Sequence, residues 1–129
     1  MSHSTAAHGA SIVHGTGVTI SYGPSGATIK PTSAAPSFGT FLCPIPNPAN
    51  APITAKGVQI DATNTLTNVT NVALYSGDSE VAVKSSPVPP KFSIASAVGK
   101  DDDGWCLFVT VEFLSPGSNI LVKSCAILF

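Results

Sequence analysis

Eleven glycines and eleven prolines punctuate 129 residues so closely that no window longer than a few positions keeps apolar side chains at helical spacing. Helix is thereby close to excluded. What remains between the breakers is a series of short segments rich in Val, Ile, Thr and Phe, at the intervals of a sandwich or barrel. The pattern predicts strands over Ala10–His14, Gly17–Tyr22, Ala27–Pro31, Gly39–Cys43, Gly57–Asn64, Asn68–Ser76, Ser79–Ser85, Lys91–Val98, Trp105–Leu114 and Asn119–Phe129. Gly23-Pro24-Ser25-Gly26, Ser76-Gly77-Asp78 and Ser115-Pro116-Gly117-Ser118 read as turns, each joining Pro or Gly to small polar residues. Cys43–Pro52 and Ser86–Pro90 hold too many prolines to donate to a regular ladder, so both are expected to cross the surface as extended connections, the first from sheet to sheet. The expected fold is all-β: one two-sheet antiparallel β-sandwich of about 8–10 strands over residues 1–129. A jelly-roll-like arrangement is one topology that fits, and residues 1–9 read as a loosely packed lead.

The C-terminal segments carry the strongest expectation. If Pro116-Gly117 is the turn of a hairpin, one face presents Trp105, Leu107, Val109, Val111 and Phe113 opposite Ile120, Val122, Ser124, Ala126 and Leu128, and must be core. The other face holds Cys106, Phe108, Thr110, Glu112 and Leu114 against Asn119, Leu121, Lys123, Cys125 and Ile127, followed by Phe129. An outer sheet face should be mostly polar, and this one is not. Either the chain's own N-terminal strands and Pro-rich crossings cover it, or a second copy does. Only 10% of the residues are charged, against ~25% in an ordinary soluble domain, so the surface is short of the ions that keep monomers apart. Self-association through Phe108, Leu114, Leu121, Ile127 and Phe129 is the reading that follows.

Charge and chemistry exclude several classes. Six lysines, no arginine and a net charge of -1 argue against a nucleic-acid partner. No apolar run approaches the ~18 residues of a spanning helix, and the first residues lack a signal-peptide pattern, which makes the cytoplasm the expected location. Cys43, Cys106 and Cys125 are an odd set without CxxC spacing, read as small buried hydrophobes rather than a disulfide framework or zinc site. His3, His8 and His14 are spaced five and six apart with no accompanying carboxylate, so no metal is expected. Gly77-Asp78-Ser79 lacks the strand-to-helix turn and the later histidine of a serine hydrolase. Asp61, Glu80 and Glu112 are too dispersed to form a glycosidase pair. No enzyme and no cofactor are expected.

Two loop-edge constellations could instead bind a glycan: Tyr75 beside Asp78, and Trp105 beside Asp101, Asp102 and Asp103. The acidic run before Gly104 could also attract Ca²⁺, although a solvated turn is the simpler reading. Alternation along Val69, Asn71, Ala73 and Tyr75 points Tyr75 outward, while Thr70, Val72 and Leu74 face the core. Trp105 falls on the core face of its strand.

Further segments carry a resemblance: Ala7-His8-Gly9 leading to Gly15-Thr16-Gly17-Val18, then Phe41-Leu42-Cys43-Pro44-Ile45-Pro46. Leu66 to Asp78 follows, and finally Gly104-Trp105 before Val109-Thr110-Val111-Glu112-Phe113. Together they resemble a family of small all-β proteins of bacteria and fungi that has no assigned activity. The resemblance implies a β-sandwich without a signal peptide and transfers no site residues. Where such relatives are expected to carry charge on exposed strand positions, this chain has Ser, Thr and Ala, which again implies covered surface. The expected function is a non-enzymatic, self-associating structural or interaction subunit, with a lectin-like carbohydrate-binding module as the alternative.

Overall fold

The computed structural model describes residues 4–34, 36–46, 54–86, 88–98 and 104–129. In chain order the strands are β1 (Ser4–His8), β2 (Val13–His14), β3 (Val18–Gly23), β4 (Gly26–Pro31), β5 (Ser37–Ile45), β6 (Thr54–Thr65), β7 (Thr67–Ser76), β8 (Ser79–Ser85), β9 (Lys91–Val98), β10 (Trp105–Phe113) and β11 (Asn119–Leu128), with a single 3-10 turn at Gly9–Ser11. They form two antiparallel sheets, a β-sandwich as the turn spacing predicts. One has the order β3-β4-β11-β6-β9 with β1 also on β11; the other has the order β2-β5-β10-β7-β8. From β4 onward the strands pair as β4 with β11, β5 with β10, β6 with β9 and β7 with β8. This is a long ribbon folded at the β7–β8 turn and rolled up, the jelly-roll arrangement of two four-stranded sheets. No helix among the described residues is long and apolar enough to cross a membrane.

The β7–β8 turn is legible in its residues. Ser76 pairs with Ser79, leaving Gly77 and Asp78 as a two-residue loop, and Gly77 takes φ 60°. Glycine at the first central position with positive φ is what the hairpin turn matching strand twist requires.

The core lies between the sheets. Trp105, Leu107, Val109, Val111 and Phe113 point into it from β10, as their alternation predicts, and meet Phe41, Cys43 and Ile45 of β5 and Val72 and Leu74 of β7.

The expected C-terminal hairpin is not there. β10 and β11 lie in opposite sheets, each with its inner face on the shared core. The Ser115–Ser118 segment is an arch from sheet to sheet, fastened by the buried Ser118 hydroxyl. That oxygen accepts from the Leu114 and Ser115 amides at 3.1 and 2.9 Å and donates to the Leu66 carbonyl at 2.6 Å. Leu66 alone carries the chain from β6 to β7 and adopts φ 51° to do so. Nothing in Ser-Pro-Gly-Ser separates an arch from a hairpin, because both need a tight reversal and both flank it with apolar strands.

Facing also changes along β11. Its pairing with β6 slips between Val122 and Ser124, so Lys123 is an extra, bulged residue. Ile120 and Val122 face inward before the bulge, Cys125 and Ile127 after it. Ile127, expected on an association face, is instead 0% exposed in the core, while Ser124, Ala126 and Leu128 turn outward.

The N-terminal lead also departs from expectation. Ser4–His8 pairs along Ser124–Leu128, on the same edge of β11 that β4 occupies at Ile120–Val122. Ser-Thr-Ala-Ala-His shows no apolar alternation, but it satisfies the backbone of a β11 edge that β4 leaves open. Where β1 ends and β4 begins, Gly9 and Gly26 crowd the Val122 carbonyl.

Candidate functional site

The two outer faces of the sandwich differ in chemistry. On the six-stranded sheet, Leu121 is flanked by Thr28 and Thr63, with Ser21 beyond Thr28. Asp61, Gln59 and Lys91 lie further along the same side. This is an ordinary solvated face.

The five-stranded sheet carries a different pattern. Register places Val13 opposite Leu42, Leu42 opposite Phe108, Phe108 opposite Ala73 and Ala73 opposite Val83. These five side chains form one apolar row across all five strands. Val13 is 47% exposed and Val83 is 55% exposed at its two ends, with Leu42 and Phe108 half-buried between them. The next row is Pro44, Cys106, Tyr75 and Glu80; on the other side lies Thr40, Thr110, Asn71 and Ser85. Phe38, 61% exposed, sits beyond these opposite Glu112.

Leu42, Phe108, Cys106, Tyr75 and Gly77 enclose a shallow groove of about 320 Å³ on this face. Cys106 and Tyr75 are direct cross-strand neighbours, which puts a thiol and a phenol ring side by side. The Cys106 thiol is held above its ordinary value, first by burial and then by the nearby Cys43. A thiol so held is poor as a nucleophile, the reverse of what a catalytic cysteine needs.

The residues expected at a site are dispersed by the fold. Tyr75 lines the groove, and Asp78 stands exposed in the adjoining turn. Trp105 is 2% exposed and packs in the core with its ring 6.2 Å from that of Phe129, so it is no platform for a ligand. Asp101, Asp102 and Asp103 lie outside the described residues. Phe108 belongs to the five-stranded outer face and Leu121 to the opposite one, because their strands are in different sheets. Leu114 is exposed beyond the end of β10, and Phe129 is half-buried against Trp105. The expected association face therefore does not exist as one surface; Phe108 is its one member on the apolar row. The other members of that row, Val13, Leu42, Ala73 and Val83, were missed because strand order across a sheet is not written in local pattern.

Among the described residues no group of three or more His, Cys, Asp and Glu could hold a metal ion. His8 donates from Nε2 to the Pro24 carbonyl at 3.1 Å, tying β1 to the β3–β4 turn. All three cysteines are free thiols; Cys43 and Cys125 are fully buried.

No protein-family model matches this sequence, and no curated protein does. Among solved structures, the chain is similar to the apo form of a cyclase from Fischerella sp., with TM-score 0.43 and 12% identity over 78% of this chain. It spans 61% of that cyclase chain, less than two thirds of its length. It is also similar to a family 29 carbohydrate-binding module from Piromyces equi, with TM-score 0.43 and 10% identity over 98% of this chain and 90% of that one.

Proposed function

We propose that this protein is a non-enzymatic β-sandwich subunit that pairs with a second copy of itself through the outer face of its five-stranded sheet. One observation carries the reading: the row Val13, Leu42, Phe108, Ala73 and Val83 runs apolar from edge to edge of that sheet. Removing such a row from water is favourable by about 25 cal/mol per Å². Five strands about 4.8 Å apart, with a central strand rising about 3.4 Å per residue, present a face of about 20 by 30 Å. That approaches the ~800 Å² per partner of a stable interface once side-chain relief is included. The described rows of this face carry Glu80 and Glu112 only at their margins, so few charges need desolvation at its centre.

Size-exclusion chromatography with light scattering tests the proposal. At tens of micromolar the protein is expected to run at twice its 13.0 kDa chain mass, and Phe108→Asp, which buries a carboxylate at the centre of the face, returns it to one. A wild-type protein that stays at the chain mass throughout that range overturns the reading.

A second reading rests on Tyr75. Its ring lines the groove beside the Gly77–Asp78 turn, an aromatic surface with a carboxylate close by, which is the pairing a sugar ring and its hydroxyls take. Binding on a glycan array that Tyr75→Ala abolishes, by a protein that remains a monomer, would favour it.

A further inference from the structure

Two thiols face each other across the core from different sheets. Cys43 points inward from β5 and Cys125 inward from β11, both with no exposure to solvent. Their side chains lie within interaction range of one another. The two strands are not ladder partners; they belong to the two facing sheets, and some of their residues have α-carbons within 8 Å of one another. A disulfide needs α-carbons about 4.4–6.8 Å apart and side chains aimed at each other. Two inward side chains within interaction range meet the second condition, and the crosslinking test below decides the first. Cys106 differs: its side chain lies on the outer face of β10, with the sheet between it and the Cys43 thiol.

From this we infer that Cys43 and Cys125 are the site of an inter-sheet disulfide, formed when the chain folds or opens in the presence of a small-molecule disulfide as oxidant. The thiolate of one cysteine attacks one sulfur of that oxidant, forming a mixed disulfide and releasing one small thiol. The other cysteine then loses its proton and attacks the first one's sulfur, closing the protein disulfide and releasing the second small thiol. Two protein thiols are oxidised, one external disulfide is reduced, and the two protons leave on the released thiols. Because the native pair is dry, the exchange runs through opened molecules or before the sheets close. In a reducing compartment the same two residues remain core side chains.

Most of the chain lies between the two cysteines, so the crosslink restricts the unfolded state strongly. The test uses Cys106→Ser, which leaves only this pair, unfolded and refolded in a mixture of reduced and oxidised glutathione. The expected product has no titratable thiol after denaturation, a mass lower by two hydrogens, and a Cys43 peptide joined to a Cys125 peptide after non-reducing digestion. Its melting temperature is expected to exceed that of the reduced protein by roughly 10 °C. Two free thiols in the refolded protein, glutathione retained on either cysteine, or a crosslinked product melting no higher than the reduced one would each overturn the inference.

Discussion

Gly26→Ala is expected to destabilise the fold by about 3–5 kcal/mol, read as a fall in the urea or thermal unfolding midpoint. Two independent effects add there. Gly26 holds φ 139°, a conformation that side chains rarely adopt, and a Cβ at this position would collide with the Val122 carbonyl oxygen. The collision is with backbone at the point where β1, β4 and the β11 bulge meet, so no side-chain rotation relieves it. Gly23 and Gly117 are the controls: nothing lies within 4 Å of a Cβ added to either. Alanine at those positions should change stability by less than about 1 kcal/mol. If Gly26→Ala unfolds at the wild-type midpoint, two strands do not share the β11 edge as described.

The second large effect is expected at Trp105. Truncation to alanine empties the largest of the fully buried side-chain volumes and should cost about 3–5 kcal/mol. Trp105→Phe should cost far less. It keeps an aromatic ring against Phe129, and it removes an indole N–H that is buried without a hydrogen-bond partner, a group whose burial costs about 1–3 kcal/mol. Denaturant titration of the two variants followed by circular dichroism separates them. Equal losses would mean that the indole N–H does find a partner, and no loss in Trp105→Ala would remove Trp105 from the core.

These two residues show where local pattern is enough and where it is not. Trp105 begins a segment that alternates strictly through Phe113, and alternation alone assigned all five of its inward side chains. Gly77-Asp78 could be placed for the same reason, since a tight hairpin needs a residue free to take positive φ. Gly26 was legible only as part of a turn; its demand for glycine comes from Val122, almost a hundred residues later. The Lys123 bulge left no signal either, and one extra residue was enough to exchange Ile127 and Leu128 between core and surface. Ser4–His8 looked like a loose lead because its affinity is for an open strand edge, a tertiary feature.

The same division governs the candidate site. Phe108 stood out in the sequence as an apolar residue on an outward position, and Tyr75 as an aromatic facing away from the core. Their neighbours Leu42, Val13 and Val83 come from strands far apart in the chain, and only the rolled ribbon sets them in one row.

From the residues alone came an all-β sandwich, its main strands, its turns and the inward face of β10, because backbone conformation and period-two burial are short-range effects that each segment expresses by itself. Which strands share a sheet, that β10 and β11 part company at Ser118, and which outer face is greasy were settled only by tertiary structure. Those outcomes depend on how one core is closed from both sides, and a single segment carries no information about its partner across a sheet.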